Sequence, residues 1–301
     1  ASETRSALLE LGRRFSAARP DAVIVVTPHN VHVEGAFAVV LAGELSGSLE
    51  DSETPVALMC PVDRDLARTV YDRLRAVRIP AVAVSYGGND PESATMPMDW
   101  GTLVPLWFIG GRTDPPVPAV VIAPARELPP DTHVRAGSAI AGAAALSRKR
   151  VALVASADHG HAHDPDGPYG FDPAAAEYDA RVVGLVREGR LGDLVEVDAE
   201  LVEAAKADSF WQLLVLAGAL DDRWQADLLS YEAPTYFGML CAAFHERAKS
   251  PEGKPERQER EGPARSRGHG AWEEKADAEA EDAGAGQEAD PQTGRAKSPS
   301  S

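Results

Sequence analysis

The runs "DAVIVVT" (21–27), "VALMC" (56–60), "AVAVSY" (81–86), "AVVIA" (119–123) and "VALVAS" (151–156) constrain this chain more than any other feature. Each is short, rich in β-branched residues and bounded by Pro, Gly or charge. A strand with one wet face alternates polar and apolar residues. These runs do not, which predicts strands buried on both faces. Helical patterns lie between them, at 3–18, 63–76, 132–147 and 174–189, followed by "DAELVEAAKA" (198–207) and the apolar "SFWQLLVLAGAL" (209–220). Strand–helix alternation predicts an α/β fold: a single domain with a mostly parallel central sheet and helices on both faces. Neither GxGxxG nor GxxxxGK[ST] occurs, so the dinucleotide and P-loop fingerprints are both missing.

The pattern stops near residue 248. From Lys249 the chain reads "KSPEGKPERQEREGPARSRGHGAWEEKADAEAEDAGAG…", dense in Pro, Gly and mixed charge, with Trp272 its one aromatic residue. Such a stretch buries too little apolar area to offset its ordering entropy. The expected organisation is a catalytic-size domain over 1–248 and a disordered charged tail over 249–301. A formal net charge of −17 argues against nucleic acid and against an anionic membrane surface as partners. No apolar run approaches the roughly 20 residues that a membrane-spanning helix needs. Cys60 and Cys241 sit beside apolar runs and form no disulfide framework. They read as buried thiols in a reducing compartment, hence an expected cytoplasmic location.

In open α/β sheets ligands bind beyond the carboxyl ends of the strands, and two histidine groups sit at such ends. "VIVVTPHNVH" (23–32) places His29 and His32 directly after one strand. "SADHGHAHDPDGPYGFD" (156–172) places His159, His161 and His163 after another, on a segment whose Asp, Gly and Pro content forbids a helix or central strand. A third feature is "LLSYEAPTYFGM" (228–239), where Glu232 stands among aromatic residues; a carboxylate in such company is costly unless paired or metal-bound. Two histidines and a carboxylate with open positions form the donor composition of non-haem Fe(II) sites. Spacing leaves open whether these groups converge. Each also has a bland reading: the histidines as strand-end or solvated loop residues, which suits His32, His159 and His163 better than His29 and His161, and Glu232 as a satisfied structural carboxylate.

The strings "VTPHNVHVEGAF", "MDWGTLVPLWFIGG", "VALVASADHGHAHDPDGPYGFDPAAAEYD" and "SYEAPTYFGM" occur in this order along the chain. Together they resemble the signature regions of the class III extradiol ring-cleavage dioxygenases. That superfamily contains the catalytic subunit of protocatechuate 4,5-dioxygenase and the Memo-like proteins. The resemblance implies a non-haem Fe(II)-dependent enzyme that opens the ring of a small catechol-type diol with O2, in aromatic compound catabolism. His29 falls on an iron-ligating histidine and Glu232 on the carboxylate ligand, with His32 as a fallback ligand. His161 falls on the non-ligating acid/base histidine, and Asp158 on the turn aspartate that orients its loop. Trp100, His159 and His32 would line the substrate pocket. The family's partners also include a second copy of the chain or a small second subunit.

Two departures stand out. No histidine precedes His29, so the resemblance implies that a first strand and a first metal ligand are missing from this sequence. Asp99-Trp100-Gly101 replaces the Asp-His-Gly of many members, and an indole transfers no protons. Two alternatives therefore stand beside the dioxygenase: a Memo-like metal-binding protein with another oxidative or regulatory role, and a non-enzymatic relative of the fold.

Overall fold

A computed structural model describes residues 2–50 and 56–247 of the chain. The expected charged tail lies outside the described residues. The elements, in order, are α1 (Ser2–Ala18), β1 (Ala22–Val26), β2 (Phe37–Val40), β3 (Glu44–Leu49), β4 (Val56–Pro61), α2 (Arg64–Ala76), β5 (Ala81–Val84) and β6 (Thr95–Pro97). There follow α3 (Trp100–Phe108), β7 (Ala119–Ala123), α4 (Pro130–Ser147), β8 (Val151–Ala155), α5 (Pro173–Glu188), α6 (Ala199–Ala204), α7 (Phe210–Ala219), β9 (Trp224–Glu232) and β10 (Met239–Glu246).

Four of the five runs without polar alternation lie in the main sheet of an α/β domain. The main sheet has the order β5-β2-β7-β1-β8. β1 pairs parallel with both β7 and β8, and β2 pairs parallel with β5. The one antiparallel seam joins β2 to β7. β1 and β7 are buried along their whole length, as unbroken β-branched runs require. α2 and α4 cover this sheet with Leu66, Val70, Leu74, Ala136 and Ile140.

One strand lies elsewhere than expected. "VALMC" is β4, outside the main sheet, in a three-stranded layer of order β4-β3-β6. There Leu58 and Cys60 face inward while Met59 is exposed. An apolar side chain on the wet face hid the alternation. Its place in the main sheet is taken by β2, whose "FAVV" follows the left-handed turn at Gly35. The first turn of α2 is fixed by Asp63, whose side chain accepts from the Leu66 amide. α5 starts at Asp172, which caps Ala174, and ends at Gly189 in the left-handed conformation, as helix-end chemistry prescribes.

α4 and α7 meet backbone to backbone. A Cβ at Gly137 would strike the Val215 carbonyl oxygen, and one at Gly218 would strike that of Val134. Around this crossing a second apolar cluster gathers Tyr178, Val182, Leu194, Phe210 and Leu214. β9 and β10 form an antiparallel hairpin with a register shift at Cys241/Ala242. Both cysteines are free and buried, and burial pushes the Cys60 thiol up to about 11. Among the described residues no helix is long and apolar enough to cross a membrane.

Candidate active site

Because β7, β1 and β8 are adjacent and parallel, the loops that follow them leave the sheet on one side. These loops carry Arg126, His29 and the 156–172 segment respectively. The sequence-based expectation that His29 and His161 share a strand-end site rests on this topology.

His29 is held from behind. Its backbone amide donates to Thr27 Oγ1 at 3.3 Å, and its ring packs on Trp100 with centroids 4.7 Å apart. Gly101 makes the approach possible: a Cβ there would lie 2.5 Å from Thr27 Oγ1 and 3.1 Å from His29 Cδ2. The neighbouring Asp99 caps α3 through Oδ1, accepting from the Thr102 amide at 2.9 Å, while its buried Oδ2 has no hydrogen-bond partner. His29 Nε2 stands 3.9 Å from Asp208 Oδ2. The other Asp208 oxygen is taken by the Arg126 guanidinium, which lies 4.9 Å above the Trp211 ring.

His161 is fixed more tightly. Its Nδ1 lies 2.9 Å from the His159 carbonyl oxygen and 3.0 Å from that of Lys206. A carbonyl oxygen only accepts, so Nδ1 carries the proton and the neutral ring keeps its lone pair on Nε2. That nitrogen faces Asp158 Oδ2 at 3.9 Å. Asp158 senses both sides of the site. Burial pushes its carboxyl up from the ordinary value, the neighbouring Asp208 adds to the rise, and His161 and His29 oppose it. Aromatic rings surround the imidazoles: Phe237 stacks on His161 at 5.6 Å, with Tyr169 and Tyr236 at 5.6 and 5.9 Å. Trp100 and Tyr169 are 56% and 57% exposed, so the rim offers open aromatic faces to a planar ligand. Left-handed backbone at Asn30, beside His29, and at Lys206, whose carbonyl holds His161, places local strain on both halves of the site.

The remaining sequence-selected residues lie apart from this grouping. His159, expected at the pocket mouth, is buried: its Nδ1 meets Ser209 Oγ at 2.9 Å, and Ser209 in turn meets the Tyr178 hydroxyl at 3.0 Å. Burial depresses its basicity, against the pull of Asp179. His32 points outward to Glu127, 3.1 Å away. Glu232, at the end of β9, accepts from the Thr4 amide at 2.7 Å and the Thr4 hydroxyl at 2.6 Å. Asp208 and Arg126 were invisible in the sequence because no spacing rule ties residues 126 and 208 to a strand-end histidine.

A resident metal would need several protein donors at once. Among the described residues no group of three or more His, Cys, Asp or Glu side chains stands close enough to hold one. The nearest carboxylate to His29 is spoken for by Arg126, and Glu232 is engaged at the start of α1. The described donors therefore do not fit a complete iron centre.

The arrangement, an α/β sheet with imidazole–carboxylate pairs at the ends of adjacent parallel strands, is that of a candidate strand-end site. Comparison with known proteins narrows it further. Residues 2–242 match the family described as the catalytic LigB subunit of aromatic ring-opening dioxygenase, and the chain belongs to that family. It is 24% identical over 225 residues to protein CA_C1420 of Clostridium acetobutylicum, covering 74% of this chain and 47% of that relative. The chain thus spans about half the length of the curated relative it matches. The crystal structure of uncharacterized protein JW3007 from Escherichia coli K12 shares the fold, with a TM-score of 0.55 at 20% identity over 80% of this chain and 91% of that one.

Proposed function

We propose that the chain binds a catechol-type aromatic diol at the His29–Asp158–His161 grouping and handles its protons for ring opening with O2. The observation that carries this reading is the placement of His161 Nδ1 against two carbonyl oxygens. With Nδ1–H held by two carbonyl oxygens, only Nε2 can take a phenolic proton, and it can return that proton later. Asp158 Oδ2 lies 3.9 Å from Nε2, on the side where that proton would arrive. The exposed rings of Trp100 and Tyr169 give the diol a face to stack on. Trp100 supplies this packing where the sequence pattern of many members has an imidazole.

Fe(II) and a cytoplasmic location belong to the proposal through the family alone. The described residues do not by themselves form a donor set for iron; His29 and Glu232 are the ligands that the family pattern assigns. That same observation favours a second reading, a Memo-like role in which the pocket serves another oxidative or regulatory purpose.

The first test needs no turnover. On titration with a catechol, the ultraviolet difference spectrum should show the red-shifted band of the deprotonated diol near neutral pH. His161→Ala should bind the diol without that band, whereas Trp100→Ala should weaken binding by about 1 kcal/mol or more, several-fold in Kd. Absence of catechol binding by the parent chain, or an unchanged band in His161→Ala, refutes the reading. Oxygen uptake measured with and without added Fe(II) then separates the dioxygenase from the Memo-like role.

A further inference from the structure

Asp179, in the middle of α5, is almost wholly buried and takes no part in the site described above. Its two oxygens receive donors from three directions. Oδ1 accepts from the Gly160 amide at 2.8 Å. Oδ2 accepts from the Tyr231 hydroxyl at 2.6 Å and meets His163 Nε2 at 2.8 Å. Gly160 lies between His159 and His161; Tyr231 lies on β9. One carboxylate therefore touches the histidine loop at two points and the hairpin at a third.

The hairpin turn closes on the same spot. The Gly238 amide donates to the Gly160 carbonyl at 3.0 Å, the His159 amide donates to the Gly238 carbonyl at 2.9 Å, and the His163 amide donates to Tyr236 O at 3.1 Å. A Cβ on Gly238 would strike Asp179 Oδ2, so the turn comes this near only as bare backbone. Tyr236 and Phe237, the rings that flank His161, ride on this turn. Tyr231 reaches the same carboxylate from β9 through its hydroxyl hydrogen.

We propose that Asp179 is the positioning residue of the site: it fixes His161 by binding the Gly160 amide and the β9–β10 hairpin at once. The chemistry calls for a carboxylate. An amide offers one acceptor oxygen, and the Gly160 N–H, which can only donate, must receive it. Tyr231 and His163 would then face an NH2 group and have to turn round to accept, with His163 changing tautomer. The proposal rests on the functional reading only for what His161 does; the placement itself stands on geometry.

The test is residue-resolved hydrogen exchange together with 15N imidazole spectra, on the full chain and its Asp179→Ala, Asp179→Asn and Tyr231→Phe variants. In Asp179→Ala the Gly160 and His161 amides should exchange at least about tenfold faster while those of Val23–Val26 keep their protection, a local opening rather than a global one. The His161 ring should pass from the pure Nδ1–H tautomer to a mixture. Asp179→Asn should restore part of the protection and flip the His163 tautomer. If Asp179→Ala does not fold, Tyr231→Phe decides, with an expected acceleration of about threefold at Gly160. Unchanged Gly160 and His161 signals, or equal acceleration throughout the main sheet, overturn the proposal. None of these readouts needs a catechol, so a chain that binds no diol refutes the functional reading and leaves this one standing.

Discussion

At the scale of single residues, the buried imidazoles govern how the protein meets acid. His133 sits inside the fold with Nδ1 and Nε2 each 3.1 Å from a backbone carbonyl oxygen, of Pro129 and Ala125. A protonated ring would satisfy both contacts and a neutral ring only one, yet burial outweighs them and lowers its pKa from 6.5. His159 is lowered by burial too. A depressed imidazole binds its proton more weakly in the folded state than in the unfolded state. Its contribution to stability is thus complete above about pH 6.5 and is lost as pH falls from there through the folded-state value, with a slope of up to about 1.4 kcal/mol per pH unit for each ring. Urea unfolding measured from pH 7.5 down to pH 5 should show this decline, and His159→Gln should flatten it. An equal slope in that variant would remove His159 from the account. His29, Asp158 and His161 could be picked out as candidates from the sequence because they stand in loops directly after β-branched runs. Asp179 and Asp208 could not, because each meets its partner across a helix or loop remote in sequence.

At the scale of elements, the crossing of α4 on α7 is the tightest joint in the fold. The helical patterns at 132–147 and 209–220 predicted both helices, but nothing in either pattern says that Gly137 and Gly218 face a carbonyl of the opposite helix. Gly218→Ala should therefore destabilise by about 1–3 kcal/mol or more, as overpacking does, although alanine is the better helix former. Thermal unfolding of that variant beside Gly184→Ala, where a Cβ meets nothing within 4 Å, separates crowding from propensity: only Gly218→Ala should lose stability. Three of the elements the sequence hid share a physical cause. β3 carries Ser and Gly, β6 has three residues, and α3 contains Pro105. Each is too short or too irregular for periodicity to register. They form through contact with their neighbours: β6 pairs with β3, and α3 leans on Asp99 and buries Leu103 and Leu106.

At the scale of the whole molecule, the antiparallel seam between β2 and β7 divides the sheet by direction. β1, β7 and β8 release their chains toward His29, Arg126 and His161, whereas β2 and β5 release theirs on the opposite side. The segment after β5, Ser85 to Asp90, is exposed throughout. Gly87 and Gly88 there have positive φ and nothing within 4 Å of a notional Cβ. A flexible insertion of about ten residues between them should cost little stability, since closure entropy grows slowly with loop length. It should leave catechol affinity unchanged; a titration showing weaker binding would mean that the two sides of the sheet communicate. The seam thus gives the protein a second frontier, free to lengthen, diversify or acquire a new attachment while the chemistry on the far side keeps its shape.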